Sequence, residues 1–172
     1  LFPKELKKEV QIIVTVLSVD GENSPDILSV VATSAALALS PIPWKGPVGT
    51  VRIGYVTDKE TASDAAAAKK ADFIVNPGVA ESELSELDLI VTSLKNKILM
   101  LEAGALQVSE DITLGAIKKA QSENDKIIDF IEDFARLQST EATADGGQAK
   151  KVGAKKEDVK PDTKFAELIA LL

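Results

Sequence analysis

The chain has 172 residues, of which 45% are hydrophobic and 27% charged, and this composition is typical of a globular protein with one ordinary core. It contains no Cys and no His, which excludes disulfides, thiolate metal sites and histidine-based acid–base catalysis. A formal charge of −7 argues against a free-standing nucleic-acid binder, and no segment has the apolar length of a membrane span. We therefore expect a cytoplasmic protein that does not enter membranes.

The first third of the chain indicates a strand followed by a helix. Residues 10–19 are apolar at nearly every position and rich in Val and Ile, which predicts a central strand covered on both faces. Pro25 then occupies a favourable first helical position. The helix that follows is apolar on almost all sides through Leu39, so we expect it to be buried, and Pro41 and Pro43 should end it.

Alternation of apolar residues predicts the strands of the middle third. Val51, Ile53 and Tyr55 alternate with other residues, and residues 87–91 alternate again. Lys95-Asn96 is expected to form a turn into the strand at residues 98–103. Between the first two runs, residues 57–70 are rich in Ala and charge and have the character of a surface insertion.

Helices and a linker are predicted for the last third. Two amphipathic helices should follow Val108, one carrying Ile112 to Ala120 and the next Ile127 to Ala135. Residues 139–164 have no hydrophobic period and include six lysines, so we interpret them as a linker. Residues 165–172 resemble the start of a further helical region.

Several runs, taken together and in order, resemble the first core domain of the polynucleotide phosphorylases. They are Leu1-Phe2-Pro3-Lys4, residues 9–20, residues 34–40, the join at residues 42–47, and the blocks 87–93 and 97–105. The resemblance covers residues 1–138 and implies a partial ribonuclease PH-like core domain, incomplete at its amino end. The implied fold is α+β and similar to ribosomal protein S5 domain 2, with helices and a linker after it.

The resemblance implies part of a phosphorolytic 3′→5′ exoribonuclease that degrades single-stranded RNA with inorganic phosphate to nucleoside diphosphates, as in mRNA turnover. It also implies Mg²⁺ as the cofactor and a homotrimeric ring. In this family the catalytic copy of the core has an acidic-x-Lys pair on the strand equivalent to residues 98–105, whereas here Glu102 is followed by Ala103-Gly104. We therefore expect this chain to be the non-catalytic, ring-building copy, with no catalytic or metal-binding residue of its own and with Mg²⁺ bound outside it.

Four residues near the family-like motifs are the candidates for RNA contact: Lys4, Lys45, Arg52 and Trp44. The cations could neutralise phosphates, and the Trp44 ring could stack on a base. The alternatives are ordinary solvated charges and an aromatic residue that fills the corner between helix and strand.

Other interpretations of function stay open at this point. Glu81, Glu83, Glu86 and Asp88 could hold magnesium or could be solvated surface. The run 33–37 is similar to the phosphate-binding helix start of a group of small-molecule kinases on a related core, although it has no glycine loop before it. A non-catalytic RNA-binding or assembly subunit is the third possibility.

Overall fold

The computed structural model describes residues 1–56 and 72–141, and these form an antiparallel sheet with helices packed around it. The α+β class predicted from the sequence is confirmed. The predicted insertion at 57–70 and most of the predicted linker and tail lie outside the described residues. The elements in chain order are α1 (Pro25–Leu39), β1 (Gly49–Val56), β2 (Asp72–Val75), α2 (Val79–Leu84), β3 (Leu87–Leu94), β4 (Lys97–Ala105) and α3 (Glu110–Glu141).

The four strands have the order β2-β1-β3-β4, and every neighbouring pair is antiparallel. The alternation found in the sequence corresponds to one buried face, where Val51 pairs with Val91 and Ile53 with Leu89. Helix α3 covers this face with Ala116, Ala120 and their neighbours. Small residues on the helix allow its backbone to lie close to the large apolar side chains of the sheet.

The turn predicted at Lys95-Asn96 is also confirmed. Lys95 and Asn96 connect β3 to β4, and Asn96 has a φ of 58°. Asn tolerates this left-handed conformation better than most residues do, because its short polar side chain can bond locally.

The strand predicted for residues 10–19 is not formed in the structure, and this prediction was wrong for the chain as it stands. The segment is extended but exposed, with Ile13 and Leu17 77% and 93% accessible. A strand exists only when a second backbone accepts and donates its hydrogen bonds, and the described residues offer none to this segment. The apolar sequence therefore indicates that this segment can be buried, but it does not indicate which segment would pair with it.

Helix α1 begins at Pro25 as predicted, but it is not buried on almost all sides. Ser34 and Leu37 are its buried residues, whereas Leu28 is 70% exposed. One side of the helix contacts β1 and α3. Apolar residues occur on nearly all sides of α1, whereas the described residues cover only one side of it.

A single helix, α3, replaces the two helices predicted after Val108. The polar run at residues 121–126, between the two predicted apolar groups, contains neither Gly nor Pro and continues the helix. Asn124 is fully buried within it and donates from Nδ2 to the carbonyl oxygen of Val91 at 2.9 Å. Glu123 pairs with Lys119 at 3.1 Å and with Lys126 at 2.8 Å, which supports the helix across the same stretch.

Helix α3 is longer than the sheet it covers. Gly115 lies against the ring of Phe73 at one end of the sheet, and Asn124 lies against Gly49, the first residue of β1, at the other. The residues of α3 beyond Asn124 therefore extend past this end of β1. Two of them, Asp129 and Glu132, pair with Lys95 of the turn between β3 and β4 at 2.7 and 3.2 Å, and α3 as a whole also contacts α1.

Candidate RNA-contacting surface

Two of the four candidate residues, Lys4 and Lys45, lie at one corner of the molecule. The N–H of Lys45 donates to the carbonyl oxygen of Leu1 at 3.0 Å, which ties the start of the chain to the loop before β1. A turn follows at once, since the N–H of Leu6 donates to the carbonyl oxygen of Pro3 at 3.1 Å. Both lysine side chains are exposed at this corner, where an anionic ligand could approach them.

Trp44 is next to Lys45 in the chain but is only 6% exposed. It packs with Leu37 of α1 and with Val48 just before β1. Gly46 lies over its ring so closely that a Cβ placed there would come within 2.3 Å of the ring carbons. The indole fills the corner between helix and strand, and no open ring face is available to a base in this arrangement.

Ser34 supports the same corner from within α1. Its hydroxyl accepts a hydrogen bond from the N–H of Val48 at 3.0 Å, and the residue is 1% exposed. Because Ser34 lies in the middle of α1, the run 33–37 does not provide the free helix N-terminus that a phosphate loop requires.

Arg52 has a different environment from the two lysines. Its guanidinium lies 2.9 Å from the carboxylate of Asp26 in the first turn of α1 and 3.1 Å from that of Asp88 on β3. The Arg52 side chain is 18% exposed. Its main chain exchanges hydrogen bonds with Asn76, which has a φ of 51°. Arg52 thus joins three elements of the fold.

The surroundings of Asp26 shift the pKa of its carboxyl group. Partial burial opposes ionisation, but hydrogen bonds from the Ser24 side chain and the Ile27 N–H, together with the charge of Arg52, lower the pKa of the Asp26 carboxyl. Asp26 and Leu37 are eleven residues apart along α1, so the Arg52 contacts lie about 16 Å from the Trp44 corner. The structure therefore brings Lys4 and Lys45 together and separates Arg52 from them.

We expect Asp26→Asn to lower the melting temperature at neutral pH and to matter less as the pH falls. The folded-state pKa of Asp26 is lowered, so its stabilisation is present above the ordinary carboxyl pKa and is lost as the pH drops through the folded value. Thermal melts of both proteins from pH 7 to pH 2.5 would test this. Glu83→Gln, at an exposed position of α2, is the control. A difference between wild type and Asp26→Asn that does not shrink in acid would contradict the prediction.

The acidic residues proposed as a magnesium site do not converge. Glu81 accepts the N–H of Gly78 at 2.9 Å, and Asp88 pairs with Arg52. Within residues 1–56 and 72–141, no group of three or more potential metal ligands is present. Glu102, the carboxylate of β4, is exposed and pairs in register with Ile90. The described residues do not fit an Mg²⁺ site.

The Asp26–Arg52–Asp88 cluster is the polar arrangement that the sequence did not predict. Its members lie on a helix and two strands, and their positions along the chain carry no motif. A charged residue in the middle of an otherwise buried strand, as Arg52 is in β1, was the available signal, because such a charge needs partners.

None of the helices in the described part of the chain is long and apolar enough to span a membrane.

The amino-acid sequence is similar to one family model and to several known enzymes. The family model described as "3′ exoribonuclease family, domain 2" matches residues 46–123, which run from the loop before β1 into α3. Relatives named polyribonucleotide nucleotidyltransferase are 46% identical over 136 residues in Caldicellulosiruptor bescii and 45% identical over 141 residues in Brachyspira hyodysenteriae. The protein of that name from Thermus thermophilus is 45% identical over 136 residues.

These matches cover 79%, 82% and 79% of this chain but only 18%, 18% and 17% of the respective relatives. The chain thus spans less than a fifth of the length of the curated proteins that it matches.

Proposed function

We propose that this chain, which belongs to the 3′ exoribonuclease family, is one core domain of a polyribonucleotide nucleotidyltransferase. The whole enzyme would degrade single-stranded RNA from its 3′ end by attack of inorganic phosphate and release nucleoside diphosphates. The observation that carries this proposal is the identity of 46% over 136 residues with a curated enzyme of that name. Mg²⁺, a trimeric ring and a cytoplasmic location are parts of the same proposal.

Within that enzyme we assign to this domain a ring-building role without chemistry. The support is in β4, where Glu102 is followed by Ala103-Gly104 and no acidic-x-Lys pair is present, and in the absence of converging metal ligands among the described residues. Phosphate attack needs charge stabilisation and proton transfer by residues placed around one point. That machinery, together with Mg²⁺, would lie in another part of the longer polypeptide.

We expect the isolated chain to release no ADP from poly(A) when phosphate and magnesium are supplied. A longer polypeptide that includes this chain and the rest of the enzyme should release ADP in a phosphate-dependent manner. Chromatography of the nucleotide products measures both. ADP release by the purified chain alone would overturn the non-catalytic assignment. Failure of the longer protein to release ADP would overturn the proposed activity.

For RNA contact we propose the corner that carries Lys4 and Lys45. In the longer enzyme, Lys45→Glu should weaken binding of single-stranded RNA and reduce the slope of log K against log salt by about 0.7, the value for one lost phosphate contact. Lys118→Glu, an equal charge change at an exposed position on α3, is the control. Equal slopes for Lys45→Glu and wild type would make Lys45 an ordinary surface lysine.

A chain acting only as an RNA-binding subunit would give the opposite pattern. At net charge −7, the isolated chain should bind single-stranded RNA weakly at physiological salt. Tight binding by the isolated chain would favour the RNA-binding alternative over the ring-building role.

A further inference from the structure

The part of α3 beyond Asn124 carries an apolar stripe that residues 1–56 and 72–141 leave largely uncovered. Phe130 and Leu137 are 67% and 59% exposed, and Phe134 is partly buried between them. The two phenylalanine rings stack with their centroids 6.4 Å apart and their planes 11° from parallel. We call these three residues the α3 stripe. Large apolar side chains grouped in this way on a polar helix are typical of a surface that another element covers.

We propose that residues 165–172 of this same chain dock on the α3 stripe. Their sequence places Phe165, Leu168, Ile169 and Leu172 at i, i+3, i+4 and i+7, the spacing that predicts one apolar face of a short helix. Eight helical residues span about 12 Å, and the stripe from Phe130 to Leu137 spans about 10 Å. The two apolar faces therefore match in length. This inference does not rest on the exoribonuclease function.

The connection between the two partners is long enough. Residues 142–164 separate the end of α3 from Phe165, and a chain of that length can extend to roughly 75 Å. Leu137, the last residue of the stripe, lies four residues before the end of α3, so a connection of this length reaches back to the stripe without strain. Because both partners belong to one chain, docking does not depend on protein concentration, and the effective concentration is of millimolar order.

Charge favours the same pairing. Between Glu123 and Glu141, α3 carries six carboxylates and two cations, with Lys95 of the β3–β4 turn offsetting part of this charge. The stretch that leads to the docking segment, residues 150–164, carries six lysines and three carboxylates. An apolar contact flanked by opposite charges fixes orientation as well as affinity. A second copy of α3 would instead bring carboxylates against carboxylates, which argues against self-association through this stripe.

A spin label would test the docking cleanly, since the chain has no cysteine of its own. With a nitroxide attached at Ala170→Cys, we expect the NMR signals of the backbone amides around Phe130 and Leu137 to lose at least half of their intensity. Phe130→Asp in the labelled chain should restore them. Leu114→Asp, an exposed leucine on the same helix about 24 Å away, is the matched control and should leave the signal loss unchanged.

Two results would overturn the proposal. One is full signal intensity around the stripe in the labelled chain. The other is signal loss that appears only when isotope-labelled chain without nitroxide is mixed with nitroxide-labelled chain, which would identify a second copy as the occupant. Because both substituted positions are exposed, the native amide spectrum of each variant verifies that it folds.

Discussion

Ile53→Asp should leave the chain unfolded at 25 °C. Ile53 is fully buried in β1, between Val75 of β2 and Leu89 of β3, and its side chain faces α3. An aspartate there would place a carboxylate among apolar side chains with no partner, at a cost of several kcal/mol in addition to the lost apolar burial. Domains of this size are stable by only about 5–15 kcal/mol.

Circular dichroism and the dispersion of amide signals would measure the effect. Leu28→Asp makes a similar change at an exposed site of α1 and should lower stability by no more than about 1 kcal/mol. Ile53→Val, which removes one buried methylene, should cost about 0.5–1.5 kcal/mol. Similar melting temperatures for Ile53→Asp and Leu28→Asp would show that the core lies elsewhere.

Gly49→Ala should destabilise the fold although it adds a single methyl group. A Cβ at Gly49 would lie 2.6 Å from the carbonyl oxygen of Asn124 and 3.0 Å from its Cα, and both are backbone atoms of α3. Neither can rotate away, so the helix must shift, and overpacking of this kind costs about 1–3 kcal/mol. Gly104→Ala on β4, where nothing lies within 4 Å of the added carbon, is the matched control.

Chemical denaturation of the two alanine variants would measure the difference in free energy of unfolding. We expect Gly104→Ala to leave stability unchanged or to raise it slightly, because alanine restricts the unfolded chain more than glycine does. An equal loss for the two variants would mean that α3 does not approach β1 at Gly49 in solution.

The sequence was most informative where a pattern is local. The alternation at Val51 and Ile53, and again in residues 87–91, predicted the paired strands because one side of each strand faces a core. Pro25 located the start of α1 for an equally local reason.

The sequence was least informative where the structure of a segment depends on contact with residues that are distant in the chain. Residues 10–19 have the composition of a buried strand, and only the presence or absence of a neighbouring backbone determines whether they form one. The burial of the polar Asn124 inside one continuous helix was not predicted, because the carbonyl oxygen of Val91 that accepts its hydrogen bond is distant in the sequence. The two carboxylates of Arg52 are distant in the same way.

The length of α3 has a consequence for how the fold opens. One continuous helix contacts β1, β3 and α1, and it pairs with Lys95 of the β3–β4 turn, so none of these elements can separate from it while the helix stays packed. Local opening free energies follow such cooperative units rather than the order of the chain. Amide hydrogens of α1 and of β1 should therefore exchange through one shared opening event, whereas those of residues 10–19 exchange freely. Helix α3 thereby joins α1 and the sheet into a single unit of stability.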